Sequence, residues 1–380
     1  MAGLAYRVWF GKRSATQAEL DRIEEIVVEQ EMDMVWEARI RMYVCLDAKG
    51  KWRHGPDGFA QPFERVRVEL RNGGDKWVAL IDGPVAAYDT ALDSQPGGST
   101  VTIVVRDDTV FLNRDEAVEI FTGQRADAVA RALFAELPGD GELRIKPTPS
   151  PATVSVQRGT PIELLRKLAA DHGWHAYVVP GPKIGESVGC FLPDPTTAGS
   201  LPPLVLLGDG RNVADIDVRE TAEGPQRTAA RTLRLTDLKI VTSETKLEDL
   251  ELMRSLPPLE GNLVPRRLVS PSDSHGEDPA VATTAATRNA SYAYKASGRV
   301  VPGCYTGVLA PYERVTVNAG DHPMSGAWLL TKATHRITPS IYTQQFEAKS
   351  DAKAKAGTPP AEATKPGGIS FEFAASFGVV

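Results

Sequence analysis

Three features that this 380-residue sequence lacks narrow its possible functions. No run reaches the roughly 18 apolar residues that cross a bilayer, and residues 1–10 lack the basic stretch and apolar core of a secretory signal. The three cysteines, Cys45, Cys190 and Cys304, fit neither a disulfide framework nor a CxxC metal site, because they are widely spaced and odd in number. We therefore expect a protein that is synthesised in the cytoplasm, keeps reduced thiols and inserts no segment into a membrane.

The chain also lacks an excess of basic residues, since its formal net charge is −6. Proteins that hold a nucleic-acid backbone over many contacts cluster lysine and arginine, so we expect no nucleic-acid readout. Hydrophobic residues make up 42% of the sequence and charged residues 24%, proportions that are typical of folded globular domains. The length predicts roughly two to three such domains.

No well-marked catalytic or cofactor motif occurs: GxGxxG, the Walker loop, GxSxG and HExxH are all missing. His172 and His175 are three residues apart, but Gly173 ends the helix between them, which removes the shared face that a zinc pair needs. Asp321 and His322 lie beside a proline in a predicted exposed turn. We therefore predict no catalytic residue, no metal ligand and no cofactor.

The remaining acidic pairs fit structural positions better than a hydrolytic site. Asp107 with Asp108, and Asp215 with Asp217, are expected in solvated turns or on strand faces rather than as the two carboxylates of a glycosidase. The 208–210 Gly-Asp-Gly turn lacks the later glutamate of a calcium loop.

Residues 1–110 alternate apolar and polar side chains with period two, which predicts an antiparallel β-barrel. The clearest strands are 36–44, 66–70 and 101–105, and the Asn-Gly-Gly turn at 72–74 predicts a hairpin. Thr16 and Glu19 fit a capping box, so we place a short helical turn before a strand at 26–28.

Residues 111–203 change to helical periodicity and predict an inserted α+β domain. One helix has an apolar face and stops before a Pro-Gly pair at 138–139; the face consists of Ala126, Val129, Ala130, Leu133 and Phe134. A second helix begins at Thr160, with Pro161 at its first position and Glu163 completing a capping box, and ends at Gly173. Its inward face carries Ile162, Leu165 and Leu168, and a strand is predicted at 174–179.

The rest of the chain predicts a return to strands. Return strands are expected in 204–245, at 216–219 and 233–241, followed by a connector at 246–297 whose alanine-rich part favours a helix from 280. A second β-barrel is predicted over 298–350, and within it His335 fits a satisfied structural histidine.

Residues 351–380 are predicted to be a flexible tail rich in proline, alanine and glycine. Its tip is apolar and carries Phe371, Phe373 and Phe377, which a solvated tail has no reason to keep unless a partner receives them. We predict that these three residues bind a partner rather than the chain's own barrel. The alternative is a frayed end that happens to be apolar.

Two stretches resemble the phage late control D family, the hub proteins of contractile tails, whose relatives form the N-terminal half of VgrG spikes. The first is VQRGTPIELLRKLAADHGWHAYVVPG at 156–181, and the second, at 307–349, contains GVLAPYERVTVN and SGAWLLTKATHRITPSIYTQQFEAK. The signature residues, together with Ser325, are Thr160, Leu165, Leu168, Gly173, Gly326, Trp328, His335 and Tyr342. The order of the predicted parts agrees with the family to about residue 350.

The resemblance implies an α+β but predominantly β chain with two small antiparallel β-barrels, an inserted α+β domain and a flexible tail. It further implies a homotrimer in which six barrels form a pseudo-six-fold ring that joins a hexameric tail tube to a trimeric central spike. The sequence departs from the spike proteins in that no needle-like β-helix follows residue 350, so we expect a spike, if one is required, to be another chain. Tape-measure and baseplate wedge proteins are further candidate partners, and the expected location is a virion tail or an injection-system baseplate.

Two other functions remain open from the sequence. A tail-associated cell-wall hydrolase could combine barrels with an α+β insert, although no convergent nucleophile, base and orienting group supports it. A monomeric tail-tip binding protein is the other alternative, and the assembly state distinguishes it from a hub.

Overall fold

The structure, a computed structural model, describes residues 4–46, 49, 52–53, 61–95, 97–139, 141–149, 153–197, 199–224, 226–234, 237–254, 256–258, 264–269 and 279–354. Within these ranges strands far outnumber helices, so the predicted predominantly β fold is confirmed. None of the described helices has both the length and the hydrophobicity to span a bilayer.

The described residues of the N-terminal part form one short helix and nine strands. Helix α1 is Gln17–Leu20, and the strands are β1 (Ala5–Phe10), β2 (Arg13–Ser14), β3 (Ile23–Glu31), β4 (Glu37–Tyr43), β5 (Cys45–Leu46), β6 (Trp52–Arg53), β7 (Arg65–Arg71), β8 (Val78–Ala91) and β9 (Thr100–Arg106). Helix α1 carries the expected capping box between Thr16 and Glu19. Strands β5 and β6 pair only with each other, and the other seven join one large sheet.

The inserted segment combines helices with two small sheets. Its elements are α2 (Thr109–Leu112), β10 (Ala117–Gln124), α3 (Ala126–Phe134), β11 (Leu143–Ile145), β12 (Thr153–Gly159), α4 (Pro161–Asp171), β13 (Trp174–Pro180) and β14 (Ser187–Pro193). Strands β10 and β12 form an antiparallel ribbon, and β11, β14 and β13 form a mixed sheet. Helices α3 and α4 bury the predicted apolar faces in one core, which also holds Phe191.

The C-terminal part completes the large sheet and adds a separate one. Its elements are β15 (Leu204–Val205), β16 (Val213–Glu220), β17 (Arg227–Arg234), β18 (Lys239–Thr245), a 3-10 turn at Leu247–Asp249, β19 (Arg266–Val269), α5 (Pro279–Ser291), β20 (Tyr294–Val300), β21 (Arg314–Asn318), β22 (Gly326–Ile337) and β23 (Tyr342–Ser350). Strands β18, β17 and β19 form a three-stranded sheet that packs on α5.

Among the described residues the large sheet has 13 strands, which come from both the N-terminal and the C-terminal part. Their order is β16-β20-β23-β22-β3-β4-β9-β8-β7-β1-β2, with β21 paired to β22 and β15 paired to β21. It encloses two hydrophobic cores, one around Ile40 and Val68 and the other around Trp328 and Phe346. Strand β22 pairs with β3 along Lys332–Ile337, so the two halves share a strand ladder. The predicted barrels are therefore joined edge to edge rather than separated by the insert.

Several sequence predictions need correction. The stretch 233–241 is not one strand, because β17 ends at Arg234, β18 begins at Lys239, and Leu238 takes a left-handed turn conformation with φ 54°. Strands β10, β12 and β14 were not predicted. The tail does not begin at residue 351 as predicted, since Asp351 and Ala352 are fully buried and the backbone of Lys353 forms an antiparallel β-bridge with Leu256.

The tail tip, with Phe371, Phe373 and Phe377, lies outside the described residues, and the prediction that it binds a partner stays a prediction.

Candidate functional site

The first group of signature residues belongs to helix α4 and its two ends. These residues pack the helix into the insert core and bring its C-terminal end close to helix α5 of the C-terminal part. The backbone N–H of Thr160 donates to the Glu163 carboxylate at 3.0 Å, and Leu165 and Leu168 are buried in the insert core. Gly173 ends the helix with φ 66°, a left-handed conformation that favours glycine. A Cβ at Gly173 would also lie 3.0 Å from the Cα of Ala285 in α5, so this glycine permits the close approach of α5.

The second group closes one end of the C-terminal core. Trp328 is buried and its indole N–H donates to the carbonyl of Met324 at 2.9 Å. The Arg254 guanidinium lies 4.8 Å from the Trp328 ring centroid and donates to the carbonyls of Pro323 and Ser325. Gly326 has φ 120° and leaves room for Arg254, because a Cβ there would meet the Arg254 side chain at 2.9 Å. These residues pack against one another at one end of the sheet, and their contacts are structural rather than catalytic.

His335 and Tyr342 lie at the junction of the two halves. The His335 Nδ1 and the Tyr342 hydroxyl are 2.8 Å apart, the Gln30 side-chain oxygen lies 3.4 Å from His335 Nε2, and the Gln30 amide donates to the carbonyl of Leu80. Burial lowers the pKa of His335 to about 4, so the ring is neutral at physiological pH. The residue is hydrogen-bonded on both ring nitrogens, as expected for a structural histidine.

An ionic cluster around the buried His175 joins three parts of the chain. His175, on β13, lies 2.9 Å from the Asp33 carboxylate in the N-terminal part and 3.0 Å from Asp194 just after β14. The Tyr292 hydroxyl donates to Asp194 at 2.6 Å, and the Lys349 ammonium lies 3.9 Å from the same carboxylate. The insert is therefore tied to both halves of the large sheet through one histidine.

The contacts in this cluster stabilise the charged forms of both His175 and Asp194. Burial opposes a charge on His175, but hydrogen bonds to Asp194 and Asp33 outweigh it and raise the pKa of the imidazole to about 9. The pKa of Asp194 is held below its usual value: burial acts against this, and the His175 hydrogen bond and the Lys349 charge overcome it. Because a carboxylate occupies each ring nitrogen, His175 has no free nitrogen to accept a proton from a nucleophile.

A second ionic cluster anchors the insert to β7 and β8. Arg67 donates to the Asp82 carboxylate at 2.8 Å and to the carbonyl of Gly181 at 2.9 Å, and Arg65 bridges Asp82 and Asp108. The Ser187 hydroxyl donates to Asp108 at 2.6 Å. The cluster thus connects the N-terminal sheet to the β13–β14 turn.

The expectation that Asp107 and Asp108 are solvated is wrong, because both are buried. Asp107 accepts hydrogen bonds from the backbone N–H groups of Trp36 and Thr109, and burial raises its pKa to about 6. Trp36 is distant in sequence, so no local pattern reveals this contact. Asp215, in contrast, lies on an exposed strand face, where it pairs with Arg299 at 2.5 Å.

Elsewhere among the described residues, the histidines that the sequence offered as candidate catalytic or metal-binding groups do not lie close to suitable partners. His172 hydrogen-bonds the carbonyl of Leu168 at 2.9 Å, and the backbone N–H of Met324 donates to His322 in an exposed turn. Among the described residues, no group of three histidine, cysteine, aspartate or glutamate side chains could hold a metal ion. The two carboxylates at His175 face opposite sides of its ring and so cannot share one ion with it.

The outer face of the large sheet between β16 and β3 is polar. It carries a hollow of about 450 Å³ whose lining includes Glu29, Lys332, Glu347, Ser297 and Asp217. Strand β16 is the end of the 13-stranded sheet, with its residues from Asp217 onward exposed and no described strand on its outer side. Such an edge presents unpaired backbone groups that can pair with another chain.

Comparisons with solved structures identify this architecture. The 43 kDa tail protein of prophage MuSo2 from Shewanella oneidensis is similar with a TM-score of 0.62 and 15% identity, covering 92% of this chain and 100% of that one. A tail protein from Neisseria meningitidis MC58 has a TM-score of 0.61 and 13% identity, covering 92% and 97%. A component of the type VI secretion system of E. coli has a TM-score of 0.53 and 12% identity, covering 96% and 80%.

No protein-family model and no curated protein sequence matches the chain. At these identities the structural likeness establishes the fold. The fold that the sequence resemblance implied is confirmed, because the chain has the fold of phage tail and type VI secretion proteins.

Proposed function

We propose that the chain is a structural hub subunit of a phage tail or a related injection apparatus and that it catalyses nothing. In this proposal three copies form a ring with pseudo-six-fold symmetry that joins a hexameric tail tube to a trimeric central spike. Similarity in fold to phage tail proteins and to a type VI secretion component supports a structural role in a tail.

One observation carries the proposal: each chain encloses two hydrophobic cores in one continuous sheet. Two such halves per chain give six in a trimer, which is the number needed to match a hexameric tube. The outer edge of β16, which pairs with none of the described strands, supplies backbone groups that could continue the sheet into a neighbouring chain.

The polar face between β16 and β3 suits the channel of such a ring. Charges of both signs alternate across neighbouring strands, as in the pairs Lys332 with Glu347 and Asp215 with Arg299. The two ionic clusters around His175 and Arg67 would hold the insert in a fixed position relative to both halves. Tape-measure and wedge proteins remain candidate partners of the assembled ring.

The oligomeric state tests the proposal. Light scattering coupled to size exclusion should give about three times the chain mass of 41.0 kDa at high concentration or with the spike protein present. Val218→Lys, which adds a charge to the β16 edge, should reduce the trimer. Val156→Lys on β12 is the matched control, since the two valines are 39% and 38% exposed.

A stable monomer in both conditions would favour a monomeric tail-tip binding protein. An equal loss of trimer in both variants would move the interface to the insert. Turnover of peptidoglycan above background would support the cell-wall hydrolase instead.

A further inference from the structure

The three-stranded sheet β18-β17-β19 presents large apolar side chains on its outer face. Its exposed side chains include Leu233, Leu238, Ile240 and Leu268, at 49%, 72%, 59% and 81% exposure. The register explains why three of them share one face: Leu233 pairs with Ile240, and Leu268 pairs with Ala229, which is on the same face of β17 as Leu233. We name this surface the leucine face.

The opposite face of the sheet is fixed to α5 by hydroxyl hydrogen bonds. The Thr228 hydroxyl donates to the carbonyl of Thr283 at 2.7 Å, and the Thr245 hydroxyl donates to the Thr283 hydroxyl at 3.0 Å. The Thr287 hydroxyl donates to the carbonyl of Thr245. Because this side is satisfied and buried, the sheet cannot rotate to hide the leucine face.

Leu238 adds a second indication that the leucine face has a use. It lies at the turn between β17 and β18 with φ 54°, a conformation that costs a residue other than glycine roughly 1–2 kcal/mol. Glycine or asparagine would adopt this turn more easily. A strained leucine that is 72% exposed is explained if its side chain packs against another segment of protein.

The position where the described chain ends identifies a candidate occupant. The Lys353 ammonium lies 2.8 Å from the Glu220 carboxylate at the end of β16, only seven residues before β17 begins at Arg227. The linker 355–368 spans roughly 20 Å as a flexible coil and up to about 46 Å when extended. Strand β17 from its start to Leu233 measures about 20 Å, so the tip at 369–380 can reach the leucine face of its own chain.

The chemistry of the tip matches the leucine face. Ile369, Phe371 and Phe373 alternate with Ser370 and Glu372, which gives a segment with one apolar side. The leucine face carries three arginines, Arg227, Arg231 and Arg266, against one glutamate, Glu244, so its excess positive charge complements Glu372.

We propose that the C-terminal segment 369–380 docks on the leucine face of the same chain, with its phenylalanines covering Leu233, Ile240 and Leu268. The short tether keeps the tip at a high effective concentration near this surface. The receiving sheet is separate from the large sheet, so docking leaves the β16 edge free. This proposal replaces the prediction from the sequence that the tip binds a partner chain. It goes beyond the hub function and does not depend on trimer formation.

Disulfide trapping in the full chain tests the docking. Cys45→Ser and Cys304→Ser give a background in which only the buried Cys190 remains. In this background, Leu268→Cys with Phe371→Cys should form an intrachain disulfide under mild oxidation. The matched control, Ile120→Cys with Phe371→Cys, places the thiol on the apolar face of the β10–β12 ribbon, where Ile120 is 67% exposed.

We expect the Leu268 pair to react at least about tenfold faster than the Ile120 pair, since docking raises the local thiol concentration. Peptide mapping identifies the disulfide, and the mass of the non-reduced product shows whether it lies within one chain. Equal rates, no disulfide, or disulfides formed only between chains would each overturn docking within the chain.

Hydrogen exchange gives an independent measurement that needs no cysteine. Replacing Phe371, Phe373 and Phe377 by serine should increase amide exchange in 239–245 and 266–269, while exchange in 117–124 on the control ribbon stays constant. Unchanged exchange in the β18 and β19 segments would overturn the proposal, whatever the result of the trapping experiment.

Discussion

Replacing His175 tests whether the buried ionic cluster holds the insert to the two halves of the sheet. Removing one partner of a buried ion pair leaves an uncompensated charge and typically costs about 3–5 kcal/mol. His175→Ala leaves Asp194 with Tyr292 and Lys349 but leaves Asp33 without its imidazole partner. Because the Asp33 side chain is 51% exposed, solvent screens its charge and the cost falls at the lower end of this range. We therefore expect a loss of about 3 kcal/mol in the free energy of unfolding at pH 6.

The pH dependence gives this prediction its specificity. The pKa of His175 is about 9 in the folded protein against an ordinary value of 6.5, so the folded state binds the proton more tightly. The resulting stability is fully present below pH 6.5 and is lost as the pH rises through 9. It corresponds to about 3 kcal/mol, so the stability difference between wild type and His175→Ala should shrink by about that amount between pH 6 and pH 10.

Urea unfolding followed by tryptophan fluorescence at several pH values measures this difference. His172→Ala is the matched control, because burial lowers the pKa of His172 and its contribution has the opposite sign. That contribution should be present above pH 6.5 and decline as the pH falls. A stability difference for His175→Ala that does not change between pH 6 and pH 10 would refute the ionic account of the cluster.

Three further predictions follow from the contacts described above. Gly173→Ala should lower the free energy of unfolding by about 2 kcal/mol, because it adds left-handed strain and a 3.0 Å contact with Ala285; Gly210→Ala, which meets nothing within 4 Å, should be nearly neutral in the same urea titration. Truncation after Lys349 should lower the melting temperature more than truncation after Ala354, since only the first removes the buried Asp351 and Ala352. Because burial lowers the pKa of His335 to about 4, its contribution should be lost as the pH falls from 6.5 towards 4, and His335→Gln should flatten that part of the stability profile.

Local sequence patterns predicted the elements whose causes are local. The capped helix at Thr160, the helical turn at Thr16 and the hairpin between β7 and β8 follow from residues a few positions apart. The ribbon of β10 and β12 escaped prediction because Val118 and Ile120 point to solvent and Phe121 points inward. With apolar side chains on both faces, the alternation that marks a half-buried strand disappears.

The candidate sites depended on contacts that a single sequence does not encode locally. The His175 cluster brings together residues from positions 33, 175, 194, 292 and 349, and no spacing rule relates them. Asp108 is similar, since its burial depends on Arg65 and Ser187. The resemblance to the late control D family, in contrast, rested on ordered motifs and predicted the fold.

The twelve-residue strand β22 has a mechanical consequence for any assembly that contains this chain. One end of β22 pairs with β21 in the C-terminal core, and the other end pairs with β3 at the N-terminal core. A force that pulls the two halves apart along the strand direction loads the backbone hydrogen bonds of this ladder in shear, so many must break together. The two halves should therefore move as one rigid body under tension, without a hinge between them.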